Sequence, residues 1–132
     1  MSGLRSKRRS VMAHFVFPAD EAEARRIDES WGSLKWLASK RIGNAEEVRV
    51  GRFIIKKDRS NPKHSHPNCE EVPYLLCGRL EHTVGDRTVI LEAGDTLVVR
   101  PGVPHNAINI GDEDADMIVV YSSGEREFKL EE

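Results

Sequence analysis

His64-Ser65-His66-Pro67-Asn68-Cys69-Glu70-Glu71, joined much later by His105, is the stretch that decides how this chain is read. Along an extended strand successive side chains alternate faces, so His64 and His66 can aim both imidazoles at one point while Ser65 faces away. Glu71 opens the next apolar run and His105 comes from a distant segment, so only a chain that closes on itself brings the four together. Each histidine alone reads as a loop or turn residue beside Pro62, Pro67 or Pro104. Taken as a set they read as a metal site. Imidazole and carboxylate ligands without thiolate suit borderline and harder divalent ions, and four protein ligands on an ion that prefers six leave two positions open for chemistry. Neither Cys69 nor Cys77 has a partner at C-x2-C spacing, which argues against a closed structural zinc.

Outward from this stretch, the chain from Val48 onward breaks into short runs rich in Val, Ile and Thr, separated by turn signals every ten or so residues, the rhythm of an antiparallel sandwich or barrel. The runs cover residues 47–56, 72–84, 87–91, 96–99, 106–110 and 116–121. Gly85-Asp86 is a two-residue hairpin signal, and Gly94-Asp95, Pro101-Gly102 and Gly111-Asp112 mark further turns. Pro73 removes a ladder donor inside an apolar run and shares a face with Glu71, so that strand should be irregular or at an edge. Toward the N-terminus, Asp20 to Ile27 predicts a short helix with acidic residues first and arginines last, and Trp31 to Leu37 predicts an extended segment. Residues 1–12, with Arg5, Lys7, Arg8 and Arg9 and no apolar period, read as a flexible basic tail ahead of a single domain over 13–132.

These residues resemble the cupin superfamily, small antiparallel β-barrels of jelly-roll type. Its first motif, G-x5-H-x-H-x3or4-E-x6-G, is matched from His64 and His66 through Glu71 to Gly78, and the spacing selects Glu71 over Glu70. Asp58 stands where the leading glycine belongs. The second motif, G-x5-P-x-G-x2-H-x3-N, is matched by Gly94, Gly102, His105 and Asn109, with Arg100 in the proline position and Pro101 one place later. The resemblance covers residues 48–121. It implies an all-β jelly-roll barrel with His64, His66, Glu71 and His105 holding iron, manganese, nickel, copper or zinc in its mouth, and a homodimer. Trp31 and Trp36 would pack on the partner's barrel or cap their own.

A site with three histidines and one carboxylate leaves a net positive centre on a divalent ion, suited to a substrate that offers electron-rich oxygens: a small carboxylate, hydroxyketone or phenol. Arg100 is a candidate partner for a substrate carboxylate if it turns into the mouth. Lys56, Lys57, Arg59 and Lys63 run up to His64. His82 is a candidate interior acid or base unless it faces outward, and Cys69, beside Glu71 in sequence, is a conceivable redox-sensitive thiol. Cys77, within an apolar run, reads as a buried free thiol.

The 132 residues suffice for one core and are too few for two. A net charge of -2 supplies no general attraction to nucleic acid or to anionic membrane. No stretch has the apolar length of a membrane span or a signal peptide, so a cytoplasmic protein is expected. The reading favours a metal-dependent dioxygenase, or a lyase or isomerase, acting on a small oxygenated metabolite. The alternative is a non-catalytic module that holds metal or a small ligand, and open coordination positions favour the enzyme.

Overall fold

The computed structural model describes residues 15–132. The basic tail read over residues 1–12 lies outside the described residues. After Pro18 the chain makes one short helix, α1 (Ala19–Ala24), with Asp20 and Glu21 in its first turn where the macrodipole favours them. The helix ends earlier than its charge pattern suggests. Arg25 already leaves helical geometry, no basic residue falls in the last turn, and Ile27 belongs to a strand.

Ten strands follow: β1 (Ile27–Glu29), β2 (Gly32–Ala38), β3 (Arg49–Ile55), β4 (His64–Ser65), β5 (Glu71–Cys77), β6 (Arg79–Val84), β7 (Arg87–Glu92), β8 (His105–Asn109), β9 (Ala115–Tyr121) and β10 (Lys129–Leu130). They form two antiparallel five-stranded sheets, ordered β1-β2-β3-β9-β5 and β10-β4-β8-β6-β7. The protein is all-β, and the expected jelly roll takes the form of two sheets sharing one core. The alternation that creates this core is plain in β9, where Ala115, Met117, Val119 and Tyr121 are buried and the residues between them are not. They meet Phe53, Ile55 and Leu75 of the same sheet and Leu80, Leu91 and Ala107 of the other. Leu75, Leu80 and Ile55 are fully buried; each contributes about 1.5–3 kcal/mol by leaving water. Both sheets recruit strands from outside residues 48–121, with β1 and β2 at one side and β10 at the other.

The turns behave as their residues require. Gly85-Asp86 joins β6 to β7 with Val84 opposite Arg87, and Gly85 takes the positive φ of 62° that such a loop needs. Asp58, in the motif position normally held by glycine, has a φ of 63°, the one non-glycine residue with positive φ among those described. Aspartate is among the few L-residues that tolerate this region.

Two expectations are corrected here. Residues 96–99 do not form a strand of either sheet. They run beside β5, with the Glu71 and Val99 amides donating to each other's carbonyls at 2.9 and 2.8 Å and Leu97 N–H donating to Pro73 O at 3.0 Å. Pro73 has no N–H to return, so the pairing is reduced to isolated bridges, as its place on the outer edge of the first sheet requires. Cys77 is exposed rather than buried. A bulge between Leu75 and Cys77 breaks the alternation that buries Glu71, Pro73 and Leu75, and the thiol instead donates to Glu113 Oε1 at 3.1 Å. Ser65 faces away from its histidine neighbours but not into solvent, because β10 covers it and Glu131 Oε1 accepts its hydroxyl at 3.0 Å. Trp31 and Trp36 pack against the chain's own core, Trp36 edge-on to Phe53 at 5.6 Å and tilted against Tyr121 at 5.9 Å.

Candidate metal centre

Three strands deliver the histidine and carboxylate set. His64 lies in β4 directly opposite His105, the first residue of β8. His66 follows on the same face, and Glu71 opens β5, across from Tyr121 of β9. All four side chains are buried, and one ligand atom from each lies within 4.8 Å of the others. Glu71 Oε1 is 3.1 Å from His66 Nε2, and Glu71 Oε2 is 3.2 Å from His105 Nε2.

The protons on the three rings are placed by backbone carbonyls. His64 Nδ1 donates to Pro62 O at 2.6 Å, His66 Nδ1 to Glu127 O at 2.8 Å, and His105 Nδ1 to Val103 O at 2.8 Å. A carbonyl can only accept, so Nδ1 carries the hydrogen in each ring and the Nε2 lone pairs are left to converge. This is the arrangement that orients imidazoles on a metal. Despite its proximity to Glu71, His105 Nε2 has no hydrogen-bond partner of adequate geometry, a buried orphan that a cation would satisfy.

Electrostatics agree. Burial pushes His64 down to about 4, so its imidazole stays neutral. Burial alone would protonate Glu71, but the charge of the adjacent His105 and His66 rings outweighs it and holds the carboxyl well below the usual range. Burial would also lower His105, yet the Glu71 carboxylate overrides it and raises the pKa. A fixed buried anion thus draws positive charge to the point where the lone pairs meet. The residues present fit a divalent ion.

His82 faces inward, which removes the outward alternative. It is 2% exposed, its Nδ1 has no partner, and burial lowers its pKa to about 4. With His64, Glu71, His105, Phe53, Met117 and Tyr121 it borders a small internal space of about 10 Å³. It does not belong to the four-residue cluster. Cys69 is buried and its thiol is pushed up first by burial and then by Glu71, the opposite of what a reactive thiolate needs.

Arg100 is exposed in the turn after Val99 and is not in the wall of the cavity beside the cluster. Lys56, Lys57 and Arg59 are likewise exposed. The guanidinium that reaches the histidines belongs to Arg126, with Nη1 3.4 Å from His66 Nε2. It lies over the rings of Trp36, Tyr121 and Phe128 at 4.8, 5.0 and 5.3 Å. The whole C-terminal segment serves the site. Glu127 supplies the carbonyl for His66, Phe128 stacks on His64 at 4.9 Å, and Asn68 grips the segment through Glu125 O and Glu127 N at 2.8 and 2.7 Å. A cavity of about 290 Å³ opens beside the cluster, walled by Trp31, Leu34, Phe53, Phe128 and His64, with Arg126 and Glu29 as its charged groups. The segment's sequence offers neither strand alternation nor motif, so sequence reasoning missed Arg126 and Phe128.

A family model described as a cupin domain matches residues 51–121. The chain belongs to the cupin family. This cupin is similar to polyketide synthase CurC of Streptomyces cyaneus, 31% identical over 87 residues, which are 66% of this chain and 56% of that protein. It is similar also to oxalate oxidase GF-3.8 of Triticum aestivum, 24% identical over 124 residues, 83% of this chain and 54% of that one. Among solved structures, oxalate decarboxylase from Lactobacillus farciminis in its formate complex superposes with a TM-score of 0.75 at 23% identity, covering 80% of this chain and 33% of the other. That likeness establishes the fold. The cupin spans little more than half the length of these two curated relatives. The second-motif asparagine proves to be a staple: Asn109 Nδ2 donates to Ile55 O and Glu113 O, both at 2.9 Å, and its Oδ1 accepts from Gly111 N–H. Among the described residues no helix is long and apolar enough to cross a membrane.

Proposed function

We propose that this cupin is a metal-dependent enzyme acting on a small carboxylate-bearing metabolite, as an oxidoreductase that consumes dioxygen or as a lyase or isomerase. The observation that carries the reading is the convergence of three carbonyl-oriented imidazoles on one buried carboxylate. His64, His66, Glu71 and His105 would hold iron, manganese, nickel, copper or zinc, whose charge polarises substrate oxygens and, for a redox-active ion, transfers electrons.

Arg126 takes the part first assigned to Arg100. Its guanidinium stands in the cavity wall next to His66 with no carboxylate at ion-pair distance among the described residues, so a substrate carboxylate can accept a bidentate pair of hydrogen bonds from it. Trp31, Leu34, Phe53 and Phe128 exclude water around that contact and strengthen it. His82 supplies an interior imidazole behind the cluster, placed to take or hold a proton next to Glu71 and His105. Relatives named for oxalate chemistry support a small dicarboxylate-like substrate. A homodimer remains part of this reading, supported by Tyr74 and Leu76, exposed on the first sheet; sedimentation velocity tests it.

Elemental analysis of the purified protein, followed by oxygen uptake and product analysis on a panel of hydroxy acids, dicarboxylates and phenols, tests the function. Bound metal with turnover of carboxylates is expected, and Arg126→Gln should raise KM about 10- to 100-fold, the loss of one charge-assisted pair, with kcat much less affected. Metal without turnover of any of these would favour the binding module. Turnover of neutral phenols unaffected by Arg126→Gln would overturn the substrate assignment.

A further inference from the structure

Beside Trp36 lies a second cavity, of about 370 Å³, bordered by Arg25, Arg41, Arg49, Ser39, Ile27, Ile42 and the indole itself. Three arginines thus meet around one space, and no carboxylate lies within ion-pair distance of any of them among the described residues. The neighbouring Arg26 shows what a compensated arginine looks like here, bonded to Glu23 and Asp28 at 2.7 and 2.9 Å. Arg49 is held in place by Trp36, its guanidinium centred 3.7 Å over the ring, yet its Nε is buried without a hydrogen-bond partner. Ser39 is buried at the same wall. Its Oγ accepts from the Ile42 amide at 3.0 Å, and its O–H has no acceptor among the described residues.

Positive charge is concentrated enough for the groups to disturb one another. Burial, then Arg126, and further down Arg41 lower the Arg49 pKa, with Tyr121 and Glu125 opposing them more weakly than the burial. An orphaned guanidinium N–H, a spare hydroxyl and two further guanidinium groups are the donors that an oxyanion accepts from, and arginine's fork suits phosphoryl and carboxylate oxygens alike. A singly charged ion would leave the cluster uncompensated.

We propose that this cavity is a second binding site, distinct from the metal centre, for a small, multiply charged oxyanion such as a phosphorylated or polycarboxylate metabolite. Arg49 and Ser39 form its floor, and Arg25 and Arg41 close over the ligand from the rim. The site does not depend on the metal reading, since none of its residues belongs to the histidine cluster.

Isothermal titration of the full-length chain with pyrophosphate, and separately with citrate, at constant ionic strength tests it, the two arms separating phosphoryl from carboxylate ligands. Saturable binding of at least one is expected. The double variant Arg25→Ala/Arg41→Ala alters exposed side chains and should fold; it should bind about tenfold or more weakly, having lost two charge-assisted contacts, with metal content unchanged. His105→Gln should keep the anion affinity while losing metal. If neither anion binds, the proposal is overturned. It is overturned also by binding that survives in the double variant and disappears in His105→Gln, because that places the anion on the metal centre.

Discussion

Replacing His82 by methionine isolates the cost of a buried, unpartnered imidazole. The substitution nearly conserves volume, and the small space beside the ring gives a flexible thioether room. In the wild type the folded pKa is about 4 while the unfolded ring returns to about 6.5. The folded pKa is the depressed one, so the unfolded chain binds more protons between these values, and stability falls as pH drops through that window. With those two pKa values, His82 takes away about 0.2 kcal/mol at pH 7 and about 2 kcal/mol at pH 5. Removing an unsatisfied buried donor or acceptor adds a pH-independent gain of about 1 kcal/mol. The variant should therefore be slightly more stable than wild type at pH 7, and the gap should widen by about 1.8 kcal/mol on going to pH 5. Urea unfolding at both pH values measures it. Protonation of the metal-binding histidines affects both proteins and largely cancels in the difference. A gap that does not change with pH would refute the reasoning, because it would mean that His82 has a partner or is hydrated. Metal content should be the same in both proteins; a fall in kcat with metal intact would make His82 a participant in the reaction.

Asn68→Ala removes two of the hydrogen bonds that hold the C-terminal segment, the pair that flanks the Glu127 carbonyl orienting His66. Chelator competition should show metal affinity about tenfold weaker, the usual effect of losing an outer partner of a ligand, and unchanged affinity would mean that the segment does not orient the ring. Asp58→Gly puts glycine where the backbone already has a φ of 63° and should stabilise by about 0.5–1 kcal/mol, seen as a melting temperature raised by a few degrees. A lower melting temperature would show that the aspartate side chain contributes more than the backbone strain costs.

Much of the centre was legible in one dimension because its constraints are local. His64 and His66 are two apart on one ribbon, Glu71 starts the next, and the turns at Gly85 and Gly94 announce themselves by residue type. Pro73 could be placed at an edge because a missing donor is a property of the residue. Cys77 could not be placed, because a bulge shifts the register by one and period-two alternation has no memory of it. Residues 96–99 look like a strand but meet β5 opposite Pro73, which has no N–H to return to Leu97, and the pairing stays at isolated bridges.

The chain's own pattern determined the all-β class, the four converging ligands and the missing motif glycine at Asp58, since spacing, periodicity and turn chemistry are written residue by residue. Tertiary structure alone decided which arginine faces the centre. Arg100 stands within the second motif yet is exposed to solvent, whereas Arg126 reaches His66 because β10 pairs with β4 and draws the C-terminus across the mouth. It likewise decided that Arg25, Arg41 and Arg49 share a cavity. Their positions in sequence carry no common period, and only the folding of β2 and β3 around Trp36 sets their charges against one another.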